Sequence, residues 1–222
     1  MIRRSRVLLA AMSVLAAPML GLAQGARPSA ATCAMPDTTK AWAKDQRAWL
    51  VEPAKDWTND SLRTALLDAA GLDVKTALAL KPGFTRKDAP AIGGAAGDAA
   101  RALLRKRLAT RGSEWPTRAV VGAAGMHAAF LLVLGDSALE AGAVRRFMEA
   151  GPQESFATDV AMLEDRVRVR NGRGQLYGTM LMADDKGVYA PTRLEDEPHA
   201  DLRREGAMLP ALKQSVCASN RR

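Results

Sequence analysis

Histidine and cysteine are scarce in this chain of 222 residues: His127, His199, Cys33 and Cys217 are all there is of either. Structural zinc sites gather four thiolate or imidazole ligands at short spacings, so two of each, scattered from end to end, exclude a His/Cys metal centre. No metal and no cofactor are expected. Aromatic residues make up 5% of the chain. Burial must therefore come from Leu, Val, Met and Ala packed along helices. No internal repeat stands out. With 48% hydrophobic and 25% charged residues, the composition excludes a disordered, collagenous or multiply membrane-spanning chain.

The ends carry the clearest signals. Met1 to Arg6 holds three arginines, Val7 to Ala23 is uncharged and largely apolar, and Gly21-Leu22-Ala23 sets small residues where a signal peptidase reads. Residues 1–23 are thus expected to be a secretory signal peptide cleaved after Ala23, leaving no membrane span. Arg3-Arg4 is followed by Ser5-Arg6-Val7 rather than a twin-arginine pattern, which favours the general secretory route. Thr32 before Cys33 argues against a lipoprotein. The expected location is periplasmic or secreted, where disulfides persist, and Cys33 and Cys217 are expected to pair. That link closes 184 residues and in the chain-entropy model stabilises by at most about 5 kcal/mol.

Removing the first 23 residues lowers the net charge from +8 to +5, with 29 basic against 24 acidic residues. Acids and bases alternate, as in Glu164-Asp165-Arg166 and Asp201-Leu202-Arg203-Arg204-Glu205, which reads as a solvated surface with no nucleic-acid face.

Residues 24–39 read as a flexible leader, 40–217 as one globular domain and 218–222 as a tail. Trp42, Trp49 and Leu50 share a helical face, and Asn59-Asp60-Ser61 caps a helix containing Leu62, Leu66 and Leu67. Residues 81–97 are a Pro/Gly-rich loop, after which Asp98 is expected to cap a helix through Leu103, Leu104 and Leu108. Val120 to Leu134 is the longest apolar stretch. It reads as buried helix, although Leu131 to Leu134 alone also fits a buried strand. Helices follow at Leu139 to Glu149 and Phe156 to Glu164. From Arg166 the period switches to two, which predicts a hairpin with Val167 and Val169 on one strand, Asn171-Gly172 as its turn and Leu176 to Met182 on the other. A second turn at Asp184 to Gly187 leads to Val188-Tyr189, and Ala200 to Leu209 returns to helix. The expected class is α+β: a mainly helical single domain with a small C-terminal antiparallel hairpin or meander.

Trp115-Pro116-Thr117, Val121-Gly122, Ala128-Ala129-Phe130-Leu131, Asp165-Arg166-Val167, Gly172 to Thr179 and Asp201 to Arg204 carry a resemblance. Over about residues 98–212 the chain is similar to a bacterial family of unknown function, marked by a WP-turn, a DRV segment and a GxxQxYGT hairpin. The family has no established reaction, so the resemblance implies shared architecture. Members read Gln-His-Ala-Asp around Leu134-Gly135-Asp136-Ser137, and Gln at Met180. Gly135 and Met180 are therefore departures at polar positions, and an activity that used them would be lost here.

Two sets of residues suggest function. Alternation along a strand would place Gln175, Tyr177 and Thr179 on one face. With Asp165, Arg166, Glu195 and Asp196 they would line a polar surface for a small molecule or an envelope partner, Arg166 clamping an anion. The plainer alternative is an Asp165–Arg166 salt bridge with Tyr177 packed on the helices. The other set is enzymatic. Leu134-Gly135-Asp136-Ser137 looks like the nucleophile block of GDS-type esterases, and Asp196-Glu197-Pro198-His199 has their Asp-x-x-His spacing. Ser137 would attack, His199 would take its proton and Asp196 would orient the imidazole. Against this, more than a hundred mature residues precede the serine and no Gly-x-Asn-Asp segment follows it. Glu195 with Asp165 is the one carboxylate pair suited to glycoside chemistry. His127 reads as a hydrogen-bonded core histidine.

Overall fold

The computed structural model describes residues 56–79, 94–151 and 154–220. The signal segment, leader, Trp42, Trp49, Leu50 and Cys33 lie outside the described residues, as does most of the 81–97 loop. Helix α1 (Asp60–Ala70) begins where expected: the Asn59 side chain accepts the Leu62 N–H at 3.0 Å. It ends on Gly71 at φ 65°, a left-handed cap that glycine adopts without strain. Helix α2 (Val74–Ala79) follows. Helix α3 (Gly94–Ala109) starts four residues ahead of the expected Asp98 cap, and Asp98 instead pairs with Arg101 one turn on, at 3.3 Å.

Helix α4 (Arg118–Val133) settles the helix-or-strand ambiguity of the apolar stretch, with every residue from Val121 to Val133 buried. Such an all-round apolar helix must be covered on all sides, and α1, α2, α3 and α5 pack against it. Its first turn is offset by a break at Gly122 (φ 69°, ψ 173°), a conformation open essentially to glycine alone. The break releases three carbonyls from the helical ladder, and the chain before α1 and the first turn of α1 take them up. Thr58 N–H reaches Ala119 O at 3.0 Å, Asn59 N–H reaches Val120 O at 2.9 Å, and Arg63 Nη1 reaches Val121 O at 2.9 Å. Arg63 also lies 4.2 Å over the Trp57 ring, shielding this joint.

Helix α5 (Ser137–Ala150) is capped by Asp136, which accepts the N–H groups of Ala138 and Leu139 at 3.1 Å. Helix α6 (Ala157–Arg170) packs beside it. Here the predicted first hairpin is overturned: Val167 and Val169 are helical, and Asn171-Gly172 ends α6. Gly172 (φ 72°) donates to Val169 O at 3.0 Å, and Arg173 N–H donates to Arg168 O at 2.8 Å. Leu163 and Val167 are four apart, so packing both against the core outweighs the local period of two.

The second expected turn is present. Strands β1 (Leu181–Ala183) and β2 (Tyr189–Pro191) pair antiparallel with Met182 opposite Ala190. Asp184 Oδ1 ties their turn by accepting Lys186 N–H at 2.9 Å and Val188 N–H at 2.8 Å. A 3₁₀ turn (Glu197–His199), α7 (Ala200–Gly206) and α8 (Leu212–Ser219) complete a mainly helical α+β fold. The apolar core runs from Leu62 to Leu163. Cys217 is buried on α8, while its expected partner lies outside the described residues. Among the described residues, no helix is long and apolar enough to cross a membrane.

Candidate functional site

The stretch from Gly174 to Met180 is neither helix nor strand, so its backbone polar groups need other partners. Buried side chains supply them. Asp165, on α6, accepts Leu176 N–H (2.7 Å) and Tyr177 N–H (3.0 Å) at Oδ1, and Thr179 N–H (2.8 Å) and Thr179 Oγ1–H (2.9 Å) at Oδ2. Arg168, one turn further, donates to Gly174 O at 2.8 Å. Gln175 folds back on its own loop. Its Oε1 accepts Met180 N–H at 2.8 Å, and its Nε2 donates to Met180 O at 3.0 Å and Thr192 O at 2.8 Å.

From α7, Arg203 Nε donates to Leu176 O at 2.8 Å, and the guanidinium of Arg204 donates to Tyr177 O, Pro210 O and Ser215 Oγ. Arg204 is 1% exposed, and burial draws its pKa down to about 10 against the attraction of Asp201 and Asp165. Gly174, the first residue of this loop, is a close-approach glycine, since a Cβ there would stand 2.8 Å from Arg193 O.

This arrangement corrects the expected polar face. Asp165 and Gln175 are fully buried and spend their hydrogen-bonding capacity on the backbone, and Thr179 donates to Asp165. Gln175 touches Leu194 through a single parallel bridge, so no strand presents 175, 177 and 179 together. The expected Asp165–Arg166 pair is absent as well. Arg166 points to the other side of α6, where its Nε donates to Glu140 Oε1 at 2.9 Å. Glu195 is joined to Arg168 rather than set across a cleft from Asp165.

What faces outward is a corner built on that rigid loop. Tyr177 is half-buried, and burial, with Glu164 and Asp165 nearby, pushes its phenol up despite Arg203 and Arg168. Asp196 sits in the left-handed region (φ 51°), a conformation that costs a non-glycine residue energy and turns its carboxylate toward two neighbours. His199 Nδ1 lies 2.8 Å from Asp196 Oδ1, and Arg203 Nη1 donates to Asp196 Oδ2 at 2.8 Å. The hydrogen bonds from His199 and then Arg203 hold the Asp196 carboxyl below its ordinary range. Arg203 also donates through Nη2 to the carbonyls of Glu195 and Asp196, both at 2.8 Å, which fixes the corner to α7.

The expected triad is half assembled. Asp196 and His199 lie within hydrogen-bond distance of each other. Ser137 lies exposed at the start of α5, and no hydrogen bond joins it to His199. His127 is buried in α4 between the rings of Phe130 (6.1 Å) and Phe156 (5.7 Å), and desolvation lowers its pKa to about 4. The sequence reading missed Glu140, Arg170, Arg203 and Arg204. Glu140 had a signal: it lies four residues before Val144 and seven before Phe147, on the buried face of α5. No protein family, no curated protein and no solved structure matches the chain.

Proposed function

We propose that this is an exported binding domain, periplasmic or secreted, whose contact surface is the corner of Tyr177, Asp196, His199 and Arg203. The observation that supports it is the strained Asp196, held between His199 and Arg203 on a loop whose backbone is tied by Asp165, Gln175 and Arg204. Pre-ordered polar groups lose little freedom when a ligand arrives. The ligand is a small molecule or an envelope partner, and the chain belongs with the bacterial family of unknown function it resembles. The Cys33–Cys217 link is part of this reading. Thiol titration of the denatured chain with and without reductant tests it, with free thiols in both samples refuting it.

A muropeptide digest and a protein-free periplasmic extract, titrated separately into ¹⁵N-labelled mature protein, test the surface. Amide shifts should concentrate at 175–179 and 194–203 and weaken in Tyr177→Phe and His199→Ala. Shifts confined to the α1–α4 side would overturn the assignment.

The Asp196–His199 pair also favours a second reading, a small serine hydrolase using Ser137. A serine-directed fluorophosphonate should leave the mature protein unlabelled. Labelling abolished by both Ser137→Ala and His199→Ala would replace the binding reading with the hydrolase.

A further inference from the structure

The turn between α4 and α5 gathers three arginines around two carboxylates, on the opposite side of α6 from the corner above. Glu140 is 0% exposed. Its Oε1 accepts Gly135 N–H at 2.7 Å and Arg166 Nε at 2.9 Å, and its Oε2 accepts Arg170 Nη2 at 2.6 Å. Beside it Asp136 caps α5 with Oδ1 and takes Arg105 on Oδ2. Burial raises the Asp136 carboxyl, but its bonds from Leu139, Arg105 and Ala138 outweigh that and hold it below the ordinary range, so it stays charged.

Three guanidiniums against two carboxylates leave one positive charge in excess. One bidentate arginine suffices to compensate a buried carboxylate, yet here two arginines each use a single nitrogen on Glu140. Both Nη groups of Arg166, and Nε and Nη1 of Arg170, meet no acceptor among the described residues. Arg166 is 30% exposed and Arg170 38%, so these unused donors border solvent. Among the described residues the space over the turn is open: Gly135 (φ 88°) has nothing within 4 Å of where a Cβ would stand, and Ser137 nearby is exposed.

We infer that this elbow binds a phosphoryl group across Arg166 and Arg170, with Arg105 adding charge. A phosphoryl group brings several terminal oxygens to two separate guanidinium forks, which a single carboxylate plane supplies less well. The inference stands apart from the corner, so either can fail alone.

Arginine Nε–H resonances of the mature protein, titrated with inorganic phosphate beside sodium chloride of equal ionic strength, test it. Phosphate should give saturable shifts of Arg166, Arg170 and the Gly135 amide. Affinity should drop about tenfold in Arg170→Gln, which removes one guanidinium fork and leaves Glu140 its bonds from Gly135 and Arg166. Arg105→Gln, an exposed change with little risk to folding, should weaken binding by a smaller factor. Shifts that fail to saturate, that chloride reproduces, or that both variants leave unchanged overturn the proposal. Sedimentation with phosphatidylglycerol vesicles, competed by phosphate, would assign the group to a lipid headgroup. Phosphate binding without sedimentation would assign it to a soluble ester.

Discussion

The stretch before Asn171 and the stretch after it are held together by different physics. Helices α1 to α6 bury a continuous apolar core from Leu62 to Leu163, with α4 at its centre. Beyond Asn171 no described residue joins that core. The loop, hairpin and short terminal helices hang instead on Asp165, Arg168, Gln175, Arg203 and Arg204, whose side chains stand in for a missing strand ladder. Apolar burial tolerates small shifts because it is non-directional, whereas a charged side chain bonded to several backbone groups fails as a unit. A polar scaffold of this kind fixes a surface corner without needing a second core.

The sharpest way to break that contrast is Asp165→Ala. It strips acceptors from three half-buried N–H groups and one hydroxyl and removes a fully buried charge, and it should cost about 4 kcal/mol in urea unfolding. Hydrogen exchange should show protection lost at 175–180 before α1 and α4. Equal loss in both regions would mean that they form one cooperative unit.

Acid acts on the other region. The His127 imidazole titrates near 4 in the fold and near 6.5 unfolded. Between those values the unfolded chain binds more protons, so the stability contributed by neutral His127 is complete above pH 6.5 and falls as the pH drops toward 4. The loss amounts to about 3 kcal/mol. Thermal melts of the protein and of His127→Phe across that window check the slope, which the variant should flatten.

Gly122→Ala forces a Cβ into the φ 69° break of α4 and should cost about 2 kcal/mol, read in the unfolding midpoint. It should leave the Gly174–Met180 amides protected in proportion to global stability, because the joint it strains belongs to α1 and α4. The smallest effect is expected at the corner. His199→Ala should leave the melting temperature unchanged while the Asp196 carboxyl moves up toward its ordinary range, as followed by ¹³C titration. An unchanged Asp196 would place its shift on Arg203 alone.

Much of the first region was legible. The Asn59 cap, the leucines of α1, the buried α4 and the helix after Asp136 follow from side-chain period and capping chemistry, which act within a few residues. The Asp184 turn was legible for the same reason. The 166–182 hairpin misled because two valines two residues apart do not exclude a helix, and the choice depended on which neighbour Val167 could reach. Arg203 and Arg204 read as solvated charges, since no local rule shows that Arg204 will be enclosed by Tyr177, Pro210 and Ser215.

The sequence by itself determined the helical class, the scarcity of metal ligands and the position of the main core helix, because composition and period are properties of the chain. Only the tertiary structure decided that Asp165 and Gln175 are internal braces, that Arg166 turns away to Glu140, and that Asp196 meets His199 and Arg203 in a strained corner. Each of those outcomes depends on the direction a side chain takes from its own backbone and on which distant groups lie there, and spacing along the chain does not encode either.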